Sequence, residues 1–319
     1  MQSLSKIPLL IGIDGEWGLK MRIDSTIKFP WNMSLGALKD NSFVERIGSS
    51  IGKHCKRMGI HINFAPVVDI NTNPKNPIIG NRSYGENKLN VTSKAVSFTK
   101  GIQSEGVLAC AKHFPGHGDT SKDSHKTLPT ITFKKKRILD VELYPYKSLF
   151  KEGLGSVMIA HLNVPSLESN INFPSSLSKN IVTSILKERL KFKGLIITDA
   201  LGMKGVTGYD KENIDLMAFK AGNDVLLMSG DVNAGITSII NAYNNGKISN
   251  KRLEHSVKKI LKAKYKVGLN NYKPIDTNNL ISDLNEADDS VLKNEVVSNI
   301  ITLLKNDKNF TPILNLNEN

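Results

Sequence analysis

Residues 107–113 read VLACAKH, so a run of apolar residues is followed directly by Lys112 and His113. A continuous apolar run of this length is typical of a strand that is buried on both faces, as in a parallel sheet. Charged side chains do not fit a packed core, so we expect them at the edge of the sheet where the strand ends. The pattern predicts a buried parallel strand with polar groups at its carboxyl end.

Five further segments have the same character, at residues 9–14, 62–70, 156–161, 195–199 and 224–229. Amphipathic stretches with helical spacing separate or follow them, at residues 43–58, 90–105, 138–152, 177–190, 211–221, 234–244 and 250–267. This alternation of strands and helices predicts an α/β fold with a parallel sheet.

Two α/β architectures are compatible with this alternation. A doubly wound sheet that binds a dinucleotide carries G-x-G-x-x-G after an early strand, and the glycine-rich residues 12–18 lack that spacing. A β/α barrel instead collects polar side chains at the carboxyl ends of many strands. Such residues occur here at Asp14, Asp69, His161 and Asp199. We therefore predict a TIM-type (β/α)8 barrel.

The composition is that of an ordinary globular protein. Of 319 residues, 39% are hydrophobic and 23% are charged, which excludes a disordered or collagen-like chain. No run of about 18 apolar residues exists, so no membrane span is predicted, and the first residues lack the cleavage site of a secretory signal. Cys55 and Cys110 cannot form a disulfide framework and lack metal-ligand spacing.

The net charge is +13, which raises the question of a nucleic-acid partner. The lysines are spread along the chain, and the one dense run, residues 134–137, begins an expected helix. No nucleic-acid motif accompanies it, so a solvated basic helix face is the favoured interpretation. An anionic glycan is also compatible with this charge.

Residues 111–129, AKHFPGHGDTSKDSHKTLP, concentrate reactive side chains in a stretch whose prolines and glycines indicate a loop. His113 and His117 are four residues apart, which brings two ligands to one metal only on a helix, so a metal site is disfavoured. Asp123 and His125 point the same way if the chain is extended. A carboxylate beside an imidazole suits proton transfer near neutral pH, although the two could also be simple neighbours on a surface loop.

Three other positions allow two interpretations each. Asp199, at the end of an apolar run, is either a catalytic carboxylate or the N-cap of the next helix. Asp14, with Arg22 eight residues later, has the same ambiguity. Arg82, in the long loop of residues 73–86, is a ligand-binding arginine, an ordinary surface arginine or one paired with Glu86.

Together these motifs resemble glycoside hydrolase family 3, and within it the bacterial β-N-acetylhexosaminidases that act on N-acetylglucosamine of peptidoglycan and its fragments. The matching stretches follow the family order, at residues 12–16 (GIDGE), 64–69 (FAPVVD), 76–85 (NPIIGNRSYG), 112–125 (KHFPGHGDTSKDSH) and 197–203 (ITDALGM). The most specific of these is the loop of residues 111–129, called the histidine loop below, because it distinguishes this branch from the β-glucosidases of the family.

The resemblance implies a retaining double displacement without a metal or an organic cofactor. Asp199 matches the nucleophile, and His125, paired with Asp123, matches the general acid/base. Residues that match the first sugar subsite are Asp14, Arg22, Arg82, Lys112 and His113. The implied partner is a glycan that contains N-acetylglucosamine, and the implied location is the bacterial cytoplasm or periplasm.

Two features depart from the family. Trp17 stands where a glycine is more common, and it would either form a wall for a sugar ring or fill core. Family barrels also have two strand–helix units before the strand that matches residues 9–14, so we expect six of eight units and a fragment of a longer protein.

The composition changes after Gly268. We therefore predict a partial barrel over residues 1–268, followed by a linker and the start of a possible second domain over residues 269–319. An inactive or carbohydrate-binding remnant is the alternative function, and a β-glucosidase is a third.

Overall fold

The computed structural model describes residues 2–120, 127–208 and 213–307. At its centre is a parallel five-stranded sheet made of β1 (Gly12–Ile13), β2 (Ile62–Asn63), β3 (Leu108–Phe114), β4 (Ser156–Ile159) and β5 (Leu195–Thr198). The strands are ordered in the sheet as they are along the chain. A doubly wound sheet reverses its strand order, so the sequential order of this curled half-barrel confirms the TIM-barrel-like α/β fold.

Five of the six predicted strands are present; four are shorter than their apolar runs, and β3 has the predicted length but lies one residue later. The sixth prediction, residues 224–229, is wrong as a strand, because the described residues there form one bridge to β5, at Val225. The amide of Leu227 donates to the Thr198 hydroxyl at 3.0 Å. A side chain thus takes the place of the main-chain acceptor that a continued ladder needs.

Helices surround the sheet. The α-helices are α1 (Asn32–Leu35), α2 (Ser42–Arg57), α3 (Lys88–Ser104), α4 (Lys135–Arg137), α5 (Tyr144–Lys151), α6 (Lys204–Thr207), α7 (Ile214–Ala221), α8 (Val232–Asn244), α9 (Asn250–Lys266), α10 (Leu280–Asp283) and α11 (Ala287–Ile300). Two further segments, Ile138–Glu142 and Asn180–Arg189, are π-helical, and short 3-10 turns occur at Gln2–Leu4, Leu19–Met21, Gly80–Arg82, Ser175–Leu177 and Leu269–Asn271.

Each helical prediction contains an observed helix, although residues 138–152 are divided into a π-helical segment and α5. Pro145 lies in the first turn of α5, where a missing amide proton costs least. Over the described ranges, none of the helices combines the length and apolarity that crossing a bilayer requires.

The two faces of the sheet pack against different apolar clusters. Ala109 and Val157 face the main cluster, to which α2, α3 and α5 contribute. Leu108 and Met158, their neighbours along the strands, face a second cluster that Ala263 of α9 covers. Both faces are therefore buried, which explains why the strands are continuous apolar runs.

The described part of the chain after Gly268 packs against α2. Leu292 of α11 belongs to the main apolar cluster. The Asp289 carboxylate lies 2.8 Å from His54 Nε2, and Arg57 Nε donates to Asp283 at 2.7 Å. The described part of the predicted tail is thus attached to α2, and the domain boundary stays a prediction.

Candidate active site

The polar groups expected at the strand ends lie at the carboxyl edge of the sheet. They are Asp14 after β1, Asp69 after β2, Lys112 and His113 in β3, His161 after β4 and Asp199 after β5. Glu16, two residues after Asp14, lies at the same edge. Parallel strands bring such ends to one edge, where β/α barrels carry their active sites.

Lys112 is the centre of a charge cluster that also contains Asp14, Glu16 and Arg82. Its Nζ lies 2.7 Å from Asp14 Oδ1 and 2.8 Å from Glu16 Oε1, and its side chain is only 2% exposed. Burial opposes the charged form of Lys112, but the two carboxylates outweigh it and raise its pKa. Lys112 is therefore a fixed cation.

Glu16 joins Lys112 to Arg82. Arg82 Nη2 and Nε donate to Glu16 Oε1 and Oε2 at 2.7 and 3.0 Å, which is a bidentate pair. Burial raises the pKa of Glu16, but Lys112 and Arg82 bring it down to about 2. The alternative pairing of Arg82 with Glu86 is therefore wrong, because its partner is Glu16.

Asp14 and Arg22 form the side of the cluster that faces solvent. Arg22 Nη2 donates to Asp14 Oδ2 at 2.9 Å, and the two side chains are 51% and 31% exposed, respectively. Burial raises the pKa of Asp14, but Lys112 and Arg22 hold it well below its usual range. A charged pair at this depth can exchange hydrogen bonds with ligand hydroxyls without first uncovering a buried charge.

Asp69 holds the beginning of the histidine loop. Its carboxylate accepts from the amide of His117 at 2.7 Å and lies 2.6 Å from His113 Nδ1. Burial raises the pKa of Asp69, but the charge of His113 lowers it overall. The other ring nitrogen of His113, Nε2, lies 3.3 Å from Arg82 Nη2. Asp69 thus orients His113 toward the charge cluster.

His117 and His113 have separate partners. His117 Nδ1 lies 2.7 Å from the Thr120 hydroxyl, and burial, aided by the charge of His113, lowers the pKa of His117 to about 4.

The histidine loop passes close to the main chain that follows β2. Gly118 lies against Ile70, since a Cβ at position 118 would be 1.9 Å from the Ile70 carbonyl oxygen. The described chain offers no group of three His, Cys, Asp or Glu residues arranged to hold a metal ion.

Asp199 follows β5 and is half-buried. Its Oδ1 accepts from the amide of Ala200 at 2.8 Å. Burial raises the pKa of Asp199, but the charges of His113 and His161 lower it overall. The N-cap interpretation is wrong, because the next described helix, α6, has Met203 as its N-cap. Asp199 is an ionised carboxylate within electrostatic range of His113.

His161 supports the turn that carries Asp199. Its side chain is fully buried, with Nδ1 2.7 Å from the Ser176 hydroxyl and Nε2 3.0 Å from the Ala200 carbonyl. Asp123 and His125, the predicted acid/base pair, lie outside the described residues, so their roles stay predictions.

The structure thus gathers the predicted residues Asp14, Arg22, Arg82, Lys112, His113 and Asp199 at one edge of the sheet. Sequence reasoning had not included Glu16, Asp69 and His161 among the site residues. Glu16 had a signal, since it lies two residues after Asp14 and so shares its side of an extended chain. The sequence also carried a signal for Asp69 and His161, because each is a polar residue at the end of an apolar run.

Comparison with known proteins places these residues in a family. Residues 1–263 match the family model described as "Glycosyl hydrolase family 3 N terminal domain". The chain is 33% identical to beta-hexosaminidase A of Pseudoalteromonas piscicida over 96% of its own length and 55% of that protein. It thus spans about half the length of this curated relative.

Solved structures are similar as well. The structure of a family 3 β-N-acetylglucosaminidase from Paenibacillus sp. str. FPU-7 matches with a TM-score of 0.88 at 34% identity. The match covers 94% of this chain and 57% of the Paenibacillus chain. The structure of beta-glucoside phosphorylase BglX bound to 2FGlc matches with a TM-score of 0.91 at 27% identity. The match covers 98% of this chain and 58% of the phosphorylase chain. The chain belongs to glycoside hydrolase family 3.

Proposed function

We propose that this chain carries the catalytic site of a retaining glycosidase that removes terminal β-linked N-acetylglucosamine from peptidoglycan or chitin-type fragments. The observation that carries the proposal is the position of Asp199. It follows β5 directly, so it lies at the same carboxyl edge of the parallel sheet as Lys112 and His113 of β3, and their interactions with its carboxylate lower its pKa against the effect of burial. A carboxylate held beside polar groups that can bind a sugar is the arrangement that a covalent glycosyl intermediate requires.

In the first step, an Asp199 oxygen forms a bond to the anomeric carbon while the bond from that carbon to the leaving oxygen breaks. His125 donates its proton to the leaving oxygen. In the second step, His125 takes a proton from water, the water oxygen attacks the anomeric carbon, and Asp199 departs as a carboxylate. Asp123 would orient His125 and stabilise its protonated form.

The charge cluster has two roles in this proposal. Asp14 and Arg22 present an acceptor and a donor to sugar hydroxyls at the part of the cluster that faces solvent. Lys112, Arg82 and His113 place hydrogen-bond donors around the site. Burial raises the pKa of Asp199, but interactions with His113, His161 and Lys112 lower it overall, which favours its ionised form. Because these groups are already fixed by ion pairs, little reorganisation is needed when the sugar binds.

We further propose that the five strands and the segment at Val225 correspond to the third to eighth units of a TIM-type (β/α)8 barrel, with a domain boundary near Gly268. The sequential parallel order and the bridge from Val225 to β5 support this correspondence.

The test is hydrolysis of an aryl β-N-acetylglucosaminide by the wild type and by Asp199→Asn. Loss of a group of this kind in an enzyme costs on the order of 10⁴-fold in kcat, so we expect Asp199→Asn to be nearly inactive. Asp231→Asn is a matched control, because Asp231 caps α8 and asparagine is an equally good cap. Unchanged turnover in Asp199→Asn would remove Asp199 from the mechanism, and an α-anomer as first product would contradict retention.

The same assay separates the alternatives. Binding of N-acetylglucosamine without turnover would indicate a carbohydrate-binding remnant, and faster cleavage of an aryl β-glucoside would indicate a β-glucosidase. Since one similar structure is that of a phosphorylase, the reaction is also run with phosphate. A sugar 1-phosphate among the products would identify phosphate as the acceptor in place of water.

A further inference from the structure

The only two tryptophans of the sequence lie against each other. The ring centroids of Trp17 and Trp31 are 4.0 Å apart, with their planes tilted by 47°. Both side chains are half-buried, and neither belongs to an apolar cluster of the described core. The aromatic residues that do fill the core, such as Tyr84 and Phe98, are almost fully buried. The tryptophan pair therefore does not fill core.

Contacts to Arg82 fix the place of the pair. Trp17 directly follows Glu16, whose carboxylate accepts from the Arg82 guanidinium at 2.7 Å. Trp31 directly precedes Asn32, whose amide donates to the Arg82 carbonyl at 2.7 Å. Both tryptophans are thus neighbours along the chain of residues that contact Arg82, which places their main chain next to the proposed sugar subsite.

The chemistry of the pair suits a sugar. The axial C–H groups of a β-linked pyranose form an apolar face, and an indole ring offers a flat apolar surface of similar size with a polar N–H at its edge. Tryptophan is suited to sites where one side is apolar and the other is wet, and binding pockets are often lined by such rings. Two half-exposed indoles near the partly buried Arg82 therefore suit a stacking surface better than core packing.

We propose that Trp17 and Trp31 form a stacking surface for a pyranose ring of the glycan substrate. This inference rests on the proposed function and adds a binding contact to it. The ring is either that of the terminal N-acetylglucosamine or that of the next sugar, and both present the same apolar face.

Intrinsic fluorescence tests the inference without changing either tryptophan, because all tryptophan emission comes from this pair. N-Acetylglucosamine and its β-1,4-linked disaccharide are titrated separately, the disaccharide into the Asp199→Asn variant. We expect emission to change with the same binding constant that each sugar shows as an inhibitor or ligand. A response to the monosaccharide identifies the terminal ring, and a response to the disaccharide alone identifies the next sugar. Sugar binding without any emission change would overturn the inference.

Substitutions give a second test. Trp17→Ala and Trp31→Ala should each raise KM about tenfold, which corresponds to one aromatic contact, and change kcat less than twofold. Trp17→Phe should restore most of the affinity because a flat ring remains. Tyr265→Ala is the control, since Tyr265 of α9 is 71% exposed and lies outside the site. These KM values are measured with a β-1,4-linked N-acetylglucosamine oligosaccharide, which supplies both rings, and an unchanged KM in both alanine variants would overturn the inference.

The failures of the two proposals are distinguishable. Normal turnover of the aryl substrate by both alanine variants, with sugar binding that leaves emission unchanged, would overturn the stacking surface and leave the proposed hydrolase standing. A wild-type protein that neither binds nor cleaves any β-N-acetylglucosaminide would contradict the proposed function, and the stacking surface with it.

Discussion

Two clusters of buried charge lie at opposite ends of the sheet, and they differ in what surrounds them. At the amino end, Asp224 accepts from the Ser256 hydroxyl at 2.5 Å, from the Ile196 amide at 3.0 Å and from Lys259 Nζ. All these partners belong to α9 or β5, and the Asp224 side chain has no exposed surface. This cluster attaches α9 to the sheet.

At the carboxyl end, Lys112 and Glu16 are equally buried, but Asp14 and Arg22 reach solvent. The same kind of ion pair therefore serves packing at one end and leaves polar groups accessible at the other. In β/α barrels the carboxyl end carries the chemistry and the amino end contributes stability. The comparison teaches that accessibility, and not the presence of buried charge, separates a candidate site from a structural ion pair.

The largest expected effect on stability is at the amino end. Asp224→Ala would leave Lys259 buried without its partner, and breaking a buried pair costs about 3–5 kcal/mol of unfolding free energy. Urea unfolding would measure this loss, with Asp231→Asn as control. We expect KM of the folded variant to stay at the wild-type value, and a change in KM would contradict the purely structural role of this cluster.

The charge cluster at the carboxyl end should make the unfolding free energy depend on pH. The pKa of Glu16 is about 2 in the folded protein against an ordinary value of 4.5, so its stabilising contribution is complete above pH 4.5 and is lost as the pH falls toward 2. This contribution is on the order of 3 kcal/mol. Glu16→Gln should therefore be less stable at neutral pH and lose less stability on acidification, as measured by urea unfolding between pH 7 and pH 2.5. Parallel profiles for the two proteins would contradict this assignment.

Asp14→Asn should separate activity from stability. Asp14 is partly exposed and Lys112 keeps Glu16 as a partner, so the loss of unfolding free energy should be smaller than that of Asp224→Ala. Loss of a charged hydrogen-bond acceptor for the sugar should lower kcat/KM about 10- to 100-fold. Asp24→Asn, in the exposed pair with Lys20, is the control. Wild-type kcat/KM in Asp14→Asn would remove Asp14 from the proposed subsite.

The smallest effect is expected for an exposed pair. Arg46 of α2 and Glu295 of α11 are joined at 2.7 Å, and both side chains are about half exposed. Glu295→Gln should change the unfolding free energy by no more than about 1 kcal/mol, and less in high salt. A larger change in thermal or urea unfolding would mean that this pair, and not the apolar contacts of Leu292, attaches α11.

Much of the fold could be predicted because buried parallel strands leave a plain signal. The runs that end in Lys112, His161 and Asp199 identified three strands and the edge where they meet. The segment at Val225 misled the same reasoning, since an apolar run does not reveal that the Thr198 hydroxyl replaces a ladder acceptor. Periodicity likewise could not distinguish the π-helical Asn180–Arg189 from an α-helix.

The sequence by itself determined which apolar runs end in reactive residues, the histidine loop and the resemblance to the family, because these depend on residue types and on spacing along the chain. Only the tertiary structure decided the partners: Glu16 between Lys112 and Arg82, Asp69 under His113, and Trp17 against Trp31. These pairs are separated by 14 to 96 residues along the chain. Their contacts depend on how the strands and loops meet at the sheet edge, which no local pattern encodes.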